Sequence, residues 1–314
     1  MAATGCSEGV TLSPAVRVLS PVASALVAGR PVVALESSVL AQGLPIPANR
    51  DAAERMVGAV ERGGALPAIT AVVGGVATLG LEPDELERFL ARDGVRKVAA
   101  RDLAVAIAQK ADGATTVAAS LCIAGAAGAS VFATGGIGGV HRDAPFDESG
   151  DLVELARTPM VVVCAGAKSI LDLPATLERL ETLGVTVVGY RTDELPGFFT
   201  RTTGLKLTAR ADSAEEIASI HRASVSLGRR QATLVVQAPP ADVALEQGLV
   251  DDAVAGALEE ARRRGIRGAQ TTPFLLGAVL EATAGRSLSA NLGLLEENAY
   301  LAGRIAVALS RPRI

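Results

Sequence analysis

Residues 160–190 read MVVVCAGAKSILDLPATLERLETLGVTVVGY, and this stretch contains the unit from which we predict the fold. An apolar strand over 160–165 stops at a turn of small residues. A helical segment over 174–183 follows and leads to a second apolar strand over 186–190. Strands that are apolar throughout are expected where helices cover both faces of a sheet. The stretch therefore predicts a β-α-β unit.

The same alternation extends outward along the chain. Further apolar strands are predicted over 31–35, 68–73, 130–134 and 232–238. From 241 onward the pattern is almost wholly helical, beginning with a long helix over 241–264. We predict an α/β fold, a three-layer α/β/α sandwich with a central mixed, mostly parallel sheet and a helical C-terminal region. Since no linker or composition shift divides the chain, we expect a single domain over 1–314.

Composition excludes several classes of function. Aromatic residues make up 3% of the chain, tryptophan is absent and the net charge is −4, so we expect no nucleic-acid partner. No apolar run approaches the ~20 residues of a membrane span, and the N-terminus lacks a signal-peptide pattern. Cys6, Cys122 and Cys164 have no paired spacing, which is typical of reduced thiols. We expect a cytoplasmic protein without a membrane partner.

Lysine is rare in this chain. Of 30 basic residues only Lys97, Lys110, Lys168 and Lys206 are lysines, and the remaining 26 are arginines. A lysine can lose its proton and attack a carbonyl group, whereas arginine stays charged. Lys168 lies at a strand end in small, apolar surroundings near a helix start, which suits a Schiff-base lysine. The alternative is an ordinary lysine at the surface.

Polar groups follow two other strands. Glu36 comes directly after the strand over 31–35, a position that suits a general acid. Lys97 stands between Arg96 and Arg101, and residues 112–120 read as a turn that leads into a helix N-terminus rich in hydroxyls. Such a helix end offers free N–H groups to an anion. The alternatives are a strand-end acid facing solvent and a basic edge beside an ordinary capped helix.

A glycine-rich segment over 132–142 ends in His141 and Arg142, a pair suited to holding a phosphate. Its spacing does not fit the G-x-G-x-x-G dinucleotide motif. Four acids follow within nine residues, a density that suits Mg²⁺ or Mn²⁺ held by one or two carboxylates, waters and substrate phosphate. The alternative is an acidic surface loop. The acids are Asp143, Asp147, Glu148 and Asp151.

Together these segments resemble the pseudouridine-5′-phosphate glycosidase family, also called the indigoidine-synthase-A-like family. The resemblance runs in consistent order from about Leu35 to the C-terminus, and the first 30 residues form a variable segment outside it. The motifs that carry it are ALESS (34–38), GATTVA (113–118), FATGGIGGVHR (132–142), FD-x-S-x-D (146–151), CAGAKSILDL (164–173), GYRTDELPGFF (189–199) and TPFLL (272–276).

The resemblance implies a reversible cleavage by water of the C–C glycosidic bond of pseudouridine 5′-phosphate, giving uracil and ribose 5-phosphate. Lys168 matches the nucleophilic lysine, Glu36 the proton donor, and Asp147 the ligand of one divalent ion, usually Mn²⁺ with Mg²⁺ as the alternative. The positions that match substrate contacts are Lys97, the Val117 backbone, Ser149, Gly150 and Asp151, and two further positions resemble the phosphate side, His141 and Asn291.

The leaving atom in this reaction is a ring carbon without a lone pair, so direct protonation is difficult. In the mechanism that the resemblance implies, Glu36 protonates the ring oxygen, Lys168 bonds to C1′ of the opened ribose, and an iminium accompanies the C–C cleavage. The resemblance also implies a homotrimer acting on a small-molecule nucleotide that a separate kinase supplies. Two alternatives remain open: another Schiff-base lyase or aldolase acting on a sugar phosphate, and a non-catalytic phosphosugar-binding protein.

Overall fold

The structure is a computed structural model that describes residues 13–142, 146–266 and 271–311. Within these residues the strands alternate with helices along the chain. The strands of the central sheet are β1 (Val16–Val18), β2 (Val32–Leu35), β3 (Leu66–Val73), β4 (Val76–Leu79), β5 (Arg96–Val98), β6 (Gly113–Thr115), β7 (Val131–Ala133), β9 (Val161–Cys164), β11 (Thr186–Tyr190), β12 (Arg210–Ala211) and β13 (Thr233–Val236). A separate antiparallel ribbon pairs β8 (Val140–His141) with β10 (Leu171–Asp172).

The helices fill the intervals between the strands and most of the C-terminal region. They are α1 (Ser20–Val27), α2 (Ala48–Arg62), α3 (Pro83–Ala91), α4 (Leu103–Ala108), α5 (Val117–Ala126), α6 (Gly150–Leu155), α7 (Leu173–Thr182), α8 (Ala214–Ser226), α9 (Gln247–Arg264), α10 (Thr271–Ala282) and α11 (Arg286–Ser310). A π-helical turn, Val39–Gly43, and a 3₁₀ turn, Ala100–Asp102, complete the set. Among the described helices, none combines the length and apolar character needed to cross a membrane.

The main path through the sheet is β1-β4-β3-β2-β7-β9-β13-β11-β12, and β6 branches from β3 to carry β5. Within this sheet the pairing is parallel except at β3–β4 and β3–β6. Helix α11 packs against β2, β7 and β9, and α5 packs against β2 and β3. The predicted three-layer sandwich with a mixed, mostly parallel sheet and a helical C-terminal region is confirmed.

The centre of the sheet forms the hydrophobic core. Every residue of β2, β7, β9 and β13 is buried. This burial explains why these segments are apolar throughout instead of alternating, because both faces of the parallel strands are covered. The buried thiol of Cys164 and the half-buried thiol of Cys122 lie in such apolar surroundings, and burial raises the pKa of each to about 12.

Helix α11 approaches α2 closely through two glycines. A Cβ built on Gly303 would lie 2.7 Å from the Val60 carbonyl oxygen and 2.9 Å from the Gly63 Cα. A Cβ on Gly63 would lie 2.7 Å from the Tyr300 carbonyl oxygen. Because these neighbours are backbone atoms, neither position has room for a side chain. The contact fixes α11 against α2, and α11 also packs on β2, β7 and β9.

Candidate active site

The candidate site lies at the carboxyl ends of neighbouring parallel strands. Glu36 follows β2, Thr134 follows β7, and the turn that carries Lys168 follows β9. Since β2, β7 and β9 are adjacent and parallel, their carboxyl ends meet at one edge of the sheet. Ligands bind at this edge in open α/β sheets.

Glu36 is buried, with 4% of its surface exposed, and two hydroxyl groups orient its carboxyl group. The Ser38 Oγ donates to Oε2 at 2.7 Å, and the Thr134 Oγ1 donates to Oε1. A second layer holds Thr134, because the Nδ2 of buried Asn298 donates to the Thr134 carbonyl oxygen at 2.8 Å. The Gln237 Nε2 in turn donates to the Asn298 Oδ1 at 2.9 Å. Each of the two carboxylate oxygens of Glu36 therefore has its own hydrogen-bond donor.

Sequence analysis missed Ser38, Thr134 and Asn298 as parts of the site. Thr134 is 98 residues from Glu36, and Asn298 is 164 residues from Thr134. No local spacing pattern reports a hydrogen bond over such separations. Of these three residues, only Ser38 could have been predicted from the local sequence, because it stands two residues after Glu36.

Hydrogen bonds to the backbone of its turn hold Lys168 in place. Its backbone N–H donates to the Ile137 carbonyl oxygen at 3.1 Å, and the Ile137 N–H donates to the Gly166 carbonyl oxygen at 3.1 Å. The Arg142 guanidinium donates to the carbonyl oxygens of Ser169 at 3.2 Å and of Leu171 at 3.0 Å. Arg142, which the sequence suggested for a phosphate, thus clamps the lysine turn. Within the described residues the Lys168 amine has no hydrogen bond or ion pair to another side chain, which leaves it available to a ligand.

Lys97 on β5 reaches into the same cleft. The pKa of its amine is lowered, first by partial burial and then by the positive charge of Lys168. The carboxylates of Glu36 and Asp151 act in the opposite direction. Two lysines and two acids from four separate segments therefore lie within electrostatic reach of one another. The other two lysines lie elsewhere, Lys110 on the surface and Lys206 in an exposed ion pair with Glu194.

Asp151 joins the glycine-rich segment to the N-terminus of α5. One carboxylate oxygen accepts from the Ala118 N–H at 2.9 Å, and the other accepts from the Gly138 N–H at 2.8 Å. A Cβ on Gly138 would lie 2.2 Å from the Ser149 Oγ, so this close approach requires glycine. Among the hydrogen bonds of the described residues none uses the Val117 N–H, which leaves this donor at the helix end open to an anion.

Two cavities meet at this cluster. One, of about 360 Å³, is called the polar cavity because charged and hydroxyl-bearing residues make up most of its lining, and the other, of about 280 Å³, is called the apolar cavity because it has more apolar lining residues. Both are lined by Glu36, Ser38, Lys97, Lys168 and Thr272. The polar cavity brings together most of the predicted substrate contacts. These are Val117, His141, Ser149, Gly150 and Asp151, together with Asp147.

Asn291 lies apart from that group. It lines the apolar cavity, where its Oδ1 is buried without a hydrogen-bond partner in the described residues, while His141 lines the polar one. The two residues that resemble phosphate-side positions thus occupy different halves of the cleft. A substrate that contacts both would have to span the junction at Lys168.

The four predicted acids have different environments. Asp151 is buried and bonded to backbone N–H groups, Glu148 pairs with Arg179 at 2.8 Å, and Asp143 lies outside the described residues. Asp147 is exposed at the wall of the polar cavity. Over the described ranges no three His, Cys, Asp or Glu side chains are close enough to form a metal cage. A single carboxylate fits Mg²⁺ or Mn²⁺ in the mode where water and substrate phosphate supply the other ligands.

Comparison with known proteins identifies the family. The model of the family described as indigoidine synthase A like protein matches residues 21–308. A relative from Gemmatimonas aurantiaca, named pseudouridine-5′-phosphate glycosidase, is 65% identical over 293 residues, which cover 93% of this chain and 96% of the relative. A protein of the same name from Myxococcus xanthus is 50% identical, with 91% of this chain and 96% of the relative covered.

Two solved structures share the fold. The prealnumycin C-glycosynthase AlnA in complex with ribulose 5-phosphate superposes with a TM-score of 0.88 at 38% identity, covering 95% of this chain and 97% of AlnA. An indigoidine synthase A-like protein from Thermotoga maritima gives a TM-score of 0.86 at 34% identity, with coverages of 94% and 97%. The chain is therefore an enzyme that belongs to the indigoidine synthase A like family.

Proposed function

We propose that this enzyme cleaves the C–C glycosidic bond of pseudouridine 5′-phosphate with water, reversibly, to give uracil and ribose 5-phosphate. The observation that carries the proposal is the position of Lys168 and Glu36 at the junction of a polar and an apolar cavity. A nucleotide has the same division, a charged sugar phosphate on one side of the glycosidic bond and a flat base on the other. The names of the relatives point to the same substrate.

The chemistry assigns Lys168 and Glu36 complementary roles. Glu36 protonates the ribose ring oxygen as the C1′–O bond breaks, and the Lys168 amine bonds to C1′. The nitrogen lone pair then forms the C1′–N double bond as the bond to uracil breaks, and the electron pair leaves on the uracil carbon, which takes up a proton. Water adds to the iminium and releases ribose 5-phosphate and the free amine.

The polar cavity supplies the contacts for the phosphate and the sugar. The open Val117 N–H lies at the positive end of α5, and Lys97 adds a compact cation. His141, Ser149, Gly150 and Asp151 line the same space. We assign Asp147 as the ligand of one Mn²⁺, or Mg²⁺ in its place. When bound, that ion would supply positive charge against the substrate phosphate.

We also propose a homotrimer in the cytoplasm. Cys122 and Cys164 are free thiols, which suits a reducing compartment. Phe146, which precedes Asp147 in the chain, is 99% exposed, and an assembly that covers this apolar side chain would remove it from water. Sedimentation equilibrium tests the assembly, and a mass other than three chains would refute it.

The deciding experiment incubates the protein with Mn²⁺ and pseudouridine 5′-phosphate and follows uracil by chromatography. Uridine 5′-phosphate serves as the substrate control. We expect uracil from the first compound and none from the second. Borohydride added during turnover should attach the ribose phosphate to Lys168, and Lys168→Ala should lose both signals while Lys206→Ala keeps them.

If the protein is folded and supplied with Mn²⁺ but releases no uracil, the proposal is refuted. Activity on deoxyribose or ketose phosphates in its place would identify another Schiff-base lyase acting on sugar phosphates.

A further inference from the structure

Thr134 is a buried residue whose hydroxyl group bonds to Glu36. The residue is 1% exposed and lines neither the polar nor the apolar cavity. Its Oγ1 donates to the Glu36 Oε1 and makes no other hydrogen bond within the described residues. The hydroxyl group can therefore influence a reaction in the cleft only through the carboxyl group of Glu36.

The two hydroxyl groups that bond to Glu36 have different surroundings. Ser38, which donates to Oε2 at 2.7 Å, lines both cavities, whereas Thr134 lines neither. Among the described residues these are the only two hydrogen bonds to the carboxylate, and it makes no ion pair. Of the two donors, Thr134 is thus the one that a substrate in the cleft does not contact.

The backbone of Thr134 is fixed on both sides. Its N–H donates to the Val163 carbonyl oxygen at 3.0 Å, and its carbonyl oxygen accepts from the Asn298 Nδ2 at 2.8 Å. The same Nδ2 donates to the Gly135 carbonyl oxygen at 3.3 Å. Only the NH₂ end of the amide can serve two carbonyls, so Oδ1 is left to accept from the Gln237 Nε2 at 2.9 Å. Thr134 is therefore anchored to β9 and to α11.

We infer that Thr134 is a positioning residue for the proton donor: it fixes the Glu36 carboxyl group in the orientation that delivers the proton, and Asn298 fixes Thr134. This inference rests on the proposed function, because it takes Glu36 as the proton donor. The last torsion of a glutamate side chain is soft, so a carboxyl group that loses one of two donors turns more freely. A smaller fraction of bound substrate then meets the acid in the productive geometry.

The test replaces Thr134 by valine, which keeps the shape of the side chain and removes the hydroxyl group. We expect kcat for uracil release to fall about a hundredfold, while KM stays within about twofold because Thr134 lines neither cavity. Thr134→Ser keeps the hydroxyl group and should restore most of the lost turnover.

Thr158→Val is the matched control. Thr158 is also buried, and its Oγ1 also donates to a glutamate, the Glu154 Oε1, at 3.1 Å. Neither residue of this pair lines a cavity, so this variant should keep the wild-type kcat. Equal losses in Thr134→Val and Thr158→Val would show a general effect on the fold and overturn the inference.

A second variant covers the case in which Thr134→Val does not fold. Asn298→Asp nearly keeps the shape of the side chain, but it replaces the NH₂ donor by an oxygen opposite two carbonyl oxygens. The anchor of Thr134 is then lost, so kcat should fall with KM again almost unchanged. A folded Asn298→Asp protein with wild-type kcat would contradict the anchoring of Thr134.

Borohydride trapping with ribose 5-phosphate gives a readout that does not require C–C cleavage. The sugar ring must open before the Lys168 amine can capture C1′, and Glu36 assists this step by protonating the ring oxygen. Thr134→Val should therefore slow the attachment of ribose phosphate to Lys168, whereas Thr134→Ser and Thr158→Val should not.

The two readouts separate this inference from the proposed function. Trapping that depends on the Thr134 hydroxyl group, without uracil release by wild type, would refute the proposed function and leave the positioning role in place. Uracil release with an unchanged kcat in Thr134→Val would refute the positioning role alone. A wild-type protein that shows neither reaction would refute both.

Discussion

At the scale of single residues, Lys168 and Lys97 differ in what their neighbours leave them free to do. The Lys168 turn is clamped by Arg142 and by the glycine-rich segment, so the amine is presented at a fixed place between the cavities. Lys97 shares the cleft but lies on a strand, where the negative charges of Glu36 and Asp151 act on its amine. The first suits covalent chemistry and the second suits holding an anion.

Replacing each lysine by arginine separates these roles. Lys168→Arg keeps the charge but removes the nucleophile, so kcat should fall about a thousandfold or more. Lys97→Arg keeps a cation near the phosphate, so kcat should stay within about tenfold and KM should rise. Steady-state kinetics on pseudouridine 5′-phosphate give both values. Near-normal turnover by Lys168→Arg would contradict the covalent role.

The lowered pKa of Lys97 predicts a loss of affinity in alkali. The amine is charged below its pKa, and this pKa lies below the ordinary lysine value of about 10.4. As pH rises through the lowered pKa, the cation that attracts the phosphate is lost and KM should rise. Lys97→Arg stays charged and should flatten this rise. Coincident KM profiles for the two proteins would show that another group causes it.

At the scale of elements, the α2–α11 contact depends on Gly303. Gly303→Ala places a methyl group 2.7 Å from a backbone oxygen, so the helices must separate, and we expect a loss of about 1–3 kcal/mol in the free energy of unfolding. Gly256→Ala in α9 is the matched control. A Cβ there meets nothing within 4 Å, so this change should be neutral or stabilise by up to ~1 kcal/mol. Urea unfolding measures both, and equal effects would contradict the packing argument.

Elements with strong local signals were predictable from the sequence. Asp172 caps α7 by accepting from the Ala175 N–H at 2.9 Å, and at the start of α3 the Glu85 side chain accepts from the Glu82 N–H at 3.0 Å. The helix predicted from 241 begins instead at Gln247, and residues 241–243 form a turn after Pro240. The short strands β4, β5 and β6 were not predicted, because pairing with neighbouring strands stabilises them more than their own sequence pattern does. β4 and β6 pair with β3, and β5 pairs with β6.

Some residues of the candidate site were likewise predictable from the sequence, and others were not. Glu36 and Lys168 were recognisable because each directly follows an apolar strand, and a parallel sheet gathers such positions at one edge. Glycines of the segment over 132–142 line the cleft, and they also pack against protein, as Gly136 does against the Phe198 ring. Which groups fill that space depends on segments far apart in the chain.

At the scale of the whole molecule, His221 links acid conditions to stability. His221 is 5% exposed, and its Nδ1 lies 3.0 Å from the Thr233 Oγ1. This hydrogen bond joins α8 to β13. Burial, with the nearby charge of Arg222, lowers its pKa from 6.5 to about 4. The folded protein thus keeps this histidine neutral where the unfolded chain takes up a proton.

Stability should therefore fall as pH drops from about 6.5 to about 4, by up to about 3 kcal/mol from this group. Above pH 6.5 both states are neutral, and His221 contributes no pH dependence. Urea unfolding of wild type and His221→Gln at several pH values isolates the contribution, since carboxylates titrate in both. We expect a shallower acid slope in the variant, and parallel slopes would contradict the assignment.

The hydrogen-bond chain from Asn298 through Thr134 to Glu36 also bears on protein synthesis. A nascent chain already contains Glu36, all four lysines and most of its sheet before α11 emerges from the ribosome. Until then the Thr134 carbonyl lacks its partner, and the glycine contact with α2 is missing. Fragments released by premature termination lack these contacts, so they should be poor catalysts although they contain both Glu36 and Lys168.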